Sequence, residues 1–67
     1  MISVTINGEP QELPQGLTLL ELLRHLSLKD ERVAIERNRE IVGREAWDTV
    51  QVEAGDRLEI VQFVGGG

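Results

Sequence analysis

Residues 18–26 carry the strongest local signal in this chain. Thr18 with Glu21 three positions on has the make-up of a capping box, in which a hydroxyl and a carboxylate satisfy backbone N–H groups at a helix start. Leu19, Leu22, Leu23 and Leu26 follow at i, i+3, i+4 and i+7, so one side of the helix is a continuous leucine stripe, with Leu20 off it. Such a stripe must be covered. A chain of 67 residues without cysteine has one small core and no disulfide to reinforce it. The other apolar residues recur at the period of strands, so the predicted class is α+β, with strands laid over a single helix.

Ile2-Ser3-Val4-Thr5-Ile6 alternates apolar and polar, as a half-buried strand does. Asn7-Gly8 is a favoured pair for a type I′ hairpin turn, and residues 9–13 return as a strand whose Pro10 suits an edge. Residues 27–30 read as the helix exit and a loop. Residues 32–37 form a third strand with Val33 and Ile35 on one face, and Asn38-Arg39 turns into a short strand at Glu40-Ile41-Val42. Residues 43–52 have no clear period, and Trp47 is expected to pack beneath them. Ala54-Gly55-Asp56 is a turn, and residues 57–64 are the last strand. The expected core is Ile2, Val4, Ile6, Leu19, Leu22, Leu23, Leu26, Val33, Ile35, Leu58 and Ile60.

Composition removes several function classes. A net charge of −5 with one Trp and one Phe is the wrong balance for nucleic-acid binding, which wants a basic face and stacking aromatics. An acidic surface fits a partner with a basic docking face, and it equally fits solubility. No apolar run approaches the ~20 residues of a membrane span, and no signal peptide is expected at the N-terminus. With no cysteine the expected compartment is the cytoplasm.

The chain closes on Phe63-Val64-Gly65-Gly66-Gly67. Glycine lacks a Cβ, so a glycine run presents a carboxylate on a thin, permissive thread that a narrow active site can admit. A frayed end is the alternative. The expected organisation is a single domain over residues 1–64 and a flexible tail over residues 65–67. In the last strand, Leu58 and Ile60 continue the core parity, whereas Gln62 marks its departure from the core. Val61 and Phe63 lie on the opposite face, where a sheet over one helix should be polar. Apolar residues beside the tail point to a partner-docking patch, with a dimer contact or packing against residues 43–52 as the alternatives.

No catalytic residue and no cofactor or metal site is assigned. His25, near the helix C-terminus, is favourably placed by the helix dipole and has no nucleophile to activate. Trp47 is read as core or a loop anchor. Asp30, Glu31, Glu36, Glu40, Glu45, Asp48, Glu53 and Asp56 are scattered without metal-loop spacing and read as solvated surface.

Taken in order, the Asn7-Gly8 hairpin, Thr18-Leu19-Leu20-Glu21-Leu22-Leu23, Val33-Ala34-Ile35-Glu36-Arg37-Asn38, Ile41-Val42-Gly43-Arg44-Glu45-Ala46-Trp47, Gly55-Asp56 and the glycine end resemble the β-grasp, or ubiquitin-like, family. Within it the chain is similar to the sulfur carriers of thiamine biosynthesis, the ThiS family, over essentially its whole length. It departs from that pattern at Gly43, where a proline is common, and in having three terminal glycines where two suffice. The resemblance implies a mixed sheet of four to five strands on one helix, with Gly67 bearing the reactive carboxylate and Gly65 and Gly66 threading it into a partner. It further implies an ATP-dependent adenylating enzyme that activates Gly67, sulfur from a donor such as a cysteine desulfurase, a C-terminal thiocarboxylate, and thiazole synthase as acceptor.

Three other readings remain open at this point. The small subunit of molybdopterin synthase would use the same carrier chemistry, and a ubiquitin-like modifier would be conjugated to lysines through Gly67. A non-covalent β-grasp interaction module would not need the glycines. An independent enzyme is disfavoured for want of a nucleophile, a base or a metal cluster.

Overall fold

Strands β1 (Ile2–Ile6) and β2 (Glu9–Leu13) form the hairpin expected around Asn7-Gly8. Both turn residues have positive φ, 51° and 83°, as a type I′ turn requires. The computed structural model describes residues 1–29 and 32–63. Expectations that fall on Asp30, Glu31, Val64, Gly65, Gly66 and Gly67 lie outside the described residues, the flexible tail among them.

Helix α1 (Leu19–His25) begins with the capping box in place. The Glu21 N–H donates to Thr18 Oγ1 at 3.1 Å and the Thr18 N–H to Glu21 Oε1 at 2.9 Å. At the other end, the Ser27 N–H donates to the Arg24 carbonyl and the Leu28 N–H to the Leu23 carbonyl. This is a Schellman closure, with Ser27 at φ 60° in the left-handed position that glycine usually takes.

Strands β3 (Val33–Arg37), β4 (Glu40–Val42) and β5 (Arg57–Gln62) complete a five-stranded sheet in the order β2-β1-β5-β3-β4. The β1–β5 pairing is parallel and the other pairings are antiparallel, so the sheet is mixed, as expected. Pro10 falls on an edge strand, where its missing N–H costs no ladder bond.

The core unites Val4, Ile6, Leu19, Leu22, Leu23, Val33, Ile35, Leu58 and Ile60, all predicted, with Leu13, Trp47 and Val52. Ile2 and Leu26, also predicted, are only partly buried, and each stands at an element's end.

The segment without a readable period proves to be a lid on the helix N-terminus. After a 3₁₀ turn (Arg44–Ala46), the Trp47 and Val50 carbonyls accept from the Leu20 and Leu19 N–H groups at 3.0 Å each. With Thr18 serving Glu21 and Leu22, every donor of the first turn has a partner. Trp47 holds this lid down, 2 % exposed, its indole N–H on the Val42 carbonyl at 3.0 Å and the Arg44 guanidinium 5.1 Å from its ring centre.

One expectation is overturned. Asp56 is not solvated surface but buried, at 6 % exposure. Its carboxylate accepts from Arg37 Nε at 2.8 Å, the Glu53 N–H at 2.9 Å and Asn38 Nδ2 at 3.3 Å. These donors replace the water that burial removes. Burial pushes the carboxyl up, but the hydrogen bonds from Arg37, Glu53 and Asn38 outweigh it and hold Asp56 below the ordinary carboxylate value.

Candidate functional site

Strand β5 lies at the centre of the sheet, between β1 and β3, and it leads to the glycine end. Two asparagines clasp it from either side. Asn7 donates through Nδ2 to the Ile60 carbonyl at 3.1 Å and accepts the Ile60 N–H at 2.8 Å, so its amide acts as an added peptide unit of β1. Asn38, the first residue of the β3–β4 turn with φ 51°, accepts the Arg57 N–H at 3.0 Å. An amide donates and accepts from two separate atoms, as a peptide unit does, and asparagine also tolerates positive φ.

Alternation along β5 then decides which residues face the helix and which face away from it. Leu58 and Ile60 point to the helix and are buried, at 0 % and 7 % exposure. Gln62 has the same parity but is exposed, so the strand has left the core by then, as predicted. Regular pairing ends at Gln62, so Phe63 falls outside the strand expected to include it, although the Phe63 N–H still donates to the Arg32 carbonyl at 2.7 Å. Phe63 is therefore tied to the residue just before β3.

Val61 is on the face without the helix, 51 % exposed, and Phe63, just past the strand end, is 58 % exposed. Residues 43–52 do not cover them, being engaged with the helix N-terminus instead. Ile41, 81 % exposed, joins this face from β4, and Ala34 lies opposite Val61 on β3. The sequence reading passed over Ile41, yet a signal was present. A two-residue turn at Asn38-Arg39 forces Ile41 opposite Glu36, whose parity is the reverse of Val33 and Ile35. Between the apolar residues stand Glu36 and Glu59, directly opposite one another across β3 and β5.

Other candidates are less convergent. His25 is exposed in the last turn of α1. Among the described residues, no three His, Asp or Glu side chains are grouped to hold a metal ion. Among the described residues, no helix is long and apolar enough to cross a membrane.

Comparison with known proteins places this geometry in context. Residues 4–67 match the model of the ThiS family. The sulfur carrier protein ThiS of Bacillus subtilis is 44 % identical over 50 residues, covering 75 % of this chain and 76 % of that one. A thiazole synthase of Paramagnetospirillum magneticum is 42 % identical over 66 residues, which are 98 % of this chain but 20 % of that protein. A second thiazole synthase, from Magnetococcus marinus, is matched to the same extent at 39 % identity, so the chain spans about a fifth of either length. The crystal structure of the thiamine biosynthesis protein ThiS from Geobacter metallireducens superposes with a TM-score of 0.85 at 38 % identity, covering 98 % of this chain and 100 % of that one.

Proposed function

The chain belongs to the ThiS family, and from that membership we propose that it is a cytoplasmic sulfur carrier protein of thiamine biosynthesis. The observation that carries the reading is the placement of Phe63. The glycine end leaves a central strand whose last described residues expose apolar side chains on an otherwise uncovered face. A carrier needs that combination, a surface to be held by and a thread to be worked on.

In this reading the partner supplies the chemistry. A carboxylate is a poor electrophile. An ATP-dependent adenylating enzyme joins the Gly67 carboxylate to AMP and releases pyrophosphate, which creates a good leaving group. The terminal persulfide sulfur of a donor such as a cysteine desulfurase then displaces AMP, and a thiol reductant cleaves the resulting acyl disulfide to leave a thiocarboxylate on Gly67. Thiazole synthase takes that sulfur for the thiazole ring, and the carboxylate is regenerated. The carrier acts as a co-substrate rather than an enzyme, and electrostatic stabilisation of each step belongs to the partner's site. Gly65 and Gly66 thread the tail, while Val61 and Phe63 dock the domain. The names of the Bacillus subtilis and Geobacter metallireducens relatives favour the thiazole route over molybdopterin synthesis.

Pyrophosphate exchange against increasing adenylating enzyme tests the assignment. Deleting Gly67 should abolish exchange while binding persists, because the thread then stops ~3.5 Å short and reactive alignment does not tolerate that gap. Phe63→Ala should weaken binding by about 1 kcal/mol or more, with exchange recovering at saturating partner. Full exchange by the Gly67 deletion would refute the carrier reading. Protein isolated from cells should also contain a species about 16 Da heavier, from replacement of one carboxylate oxygen by sulfur.

A further inference from the structure

The uncovered face carries an unusual charge arrangement. Glu36 on β3 is in register with Glu59 on β5, and both project away from the helix into a shallow hollow lined also by Ala34, Ile35, Ile41 and Val61. Like charges directly opposite in an antiparallel pair repel. Arg57 neighbours Glu59 along β5 and stands diagonally across from Glu36, while the residues flanking Glu36 directly on this face, Ala34 and Ile41, are apolar. The ion pairs of Arg37 go to Asp56 and Glu53 and do not include either residue.

We propose that Glu36 and Glu59 together seat one arginine side chain of the adenylating enzyme, inserted at the centre of the apolar patch formed by Ile41, Val61 and Phe63. A guanidinium presents five donors in one plane and can bridge two carboxylates, which an ammonium does less well. The apolar surround exposes little that competes for it. Once a partner covers the hollow, the loss of water strengthens the attraction. Apolar contact then supplies adhesion, while the paired carboxylates set the register in which the tail reaches the active site. A partner with an acidic or wholly apolar docking face would leave two carboxylates buried without a counter-charge, so the pair also selects against wrong partners.

This inference rests on the docking role of Val61 and Phe63, and the test separates the two. Binding of the full chain to the adenylating enzyme encoded in the same genome is measured by calorimetry at several salt concentrations. The variants are Glu36→Gln with Glu59→Gln, and Phe63→Ala. The double glutamine variant should raise Kd at least about tenfold and flatten its salt dependence, and its melting temperature should stay level or rise as the repulsion is relieved. Phe63→Ala should raise Kd and retain the parental salt dependence. If only Phe63→Ala weakens binding, the carboxylate seat is wrong and the docking patch stands. If neither weakens it, or the parent does not bind, both fall. A double variant that weakens binding and also melts lower would assign the pair a structural role and overturn the proposal.

Discussion

The two ends of β5 invert the usual relation between polarity and burial. At its start, the charged residue Asp56 is buried and Asn38 holds Arg57 in place. At its finish, Val61 and Phe63 stand exposed. Buried charge and exposed apolar surface are the informative departures from the common pattern. The first end has donors converging from Arg37, Asn38 and Glu53, so a carboxylate joins β3, the turn after it and the loop before β5. The second end is held by the backbone, through pairing of Gln62 with Val33 and the Phe63 N–H on the Arg32 carbonyl, while its apolar side chains stay exposed. One strand thus has an anchored end and a presenting end.

The widest difference should appear within the strand itself. Leu58→Ala removes a fully buried side chain and should cost about 2–5 kcal/mol. Val61→Ala, three residues on and exposed, should change stability by less than about 0.5 kcal/mol. Denaturant unfolding of both variants measures this, and equal losses would show that the outer face is packed.

Asp56→Ala should rank next, at about 2–3 kcal/mol, since it strands Arg37 and the Glu53 N–H at the anchored end. The loss should be read by thermal or urea unfolding at neutral pH. A variant as stable as the parent would mean that Arg37 and Asn38 alone align the loop.

A pH series sharpens the same contrast. The folded-state value of Asp56 is depressed, so its contribution is complete above the unfolded carboxylate value of about 3.9. It is lost as pH falls from there through the folded value. Relative to the parent, Asp56→Asn should show a shallower decline in stability below about pH 4. Parallel profiles would remove the carboxylate from the account of acid sensitivity.

The smallest stability effect belongs to Phe63→Ala, expected within about 0.5 kcal/mol of the parent. That near-neutrality is what separates a presenting residue from an anchoring one. A drop comparable to that of Leu58→Ala would place Phe63 in the fold rather than the docking surface.

Much of this architecture was legible before any coordinates. Local patterns carry their own geometry: the alternation of residues 2–6, the Thr18–Glu21 box with its leucine stripe, and the Asn7-Gly8 pair each name a conformation within a few residues. Leu13 was missed because Glu9-Pro10-Gln11-Glu12 supplies no alternation, and its inward face follows from pairing with Ile2. Val52 and the lid were missed because their order comes from backbone bonds to residues 17–20 far earlier in the chain, the Val52 N–H to the Leu17 carbonyl and the Trp47 and Val50 carbonyls to the helix N-terminus.

The sequence by itself determined the helix, the strands, the parity of β5 and the outward face of Val61, because each depends on a repeat of two or 3.6 residues that the chain expresses locally. Tertiary structure alone decided that Asp56 is buried, that Asn7 and Asn38 clasp β5, and that Glu36 meets Glu59. Those outcomes need groups separated by 18 to 53 positions to meet, or the register of two distant strands. No local period encodes such meetings, because hydrogen bonds and charges act over a few ångströms of space without regard to distance along the chain.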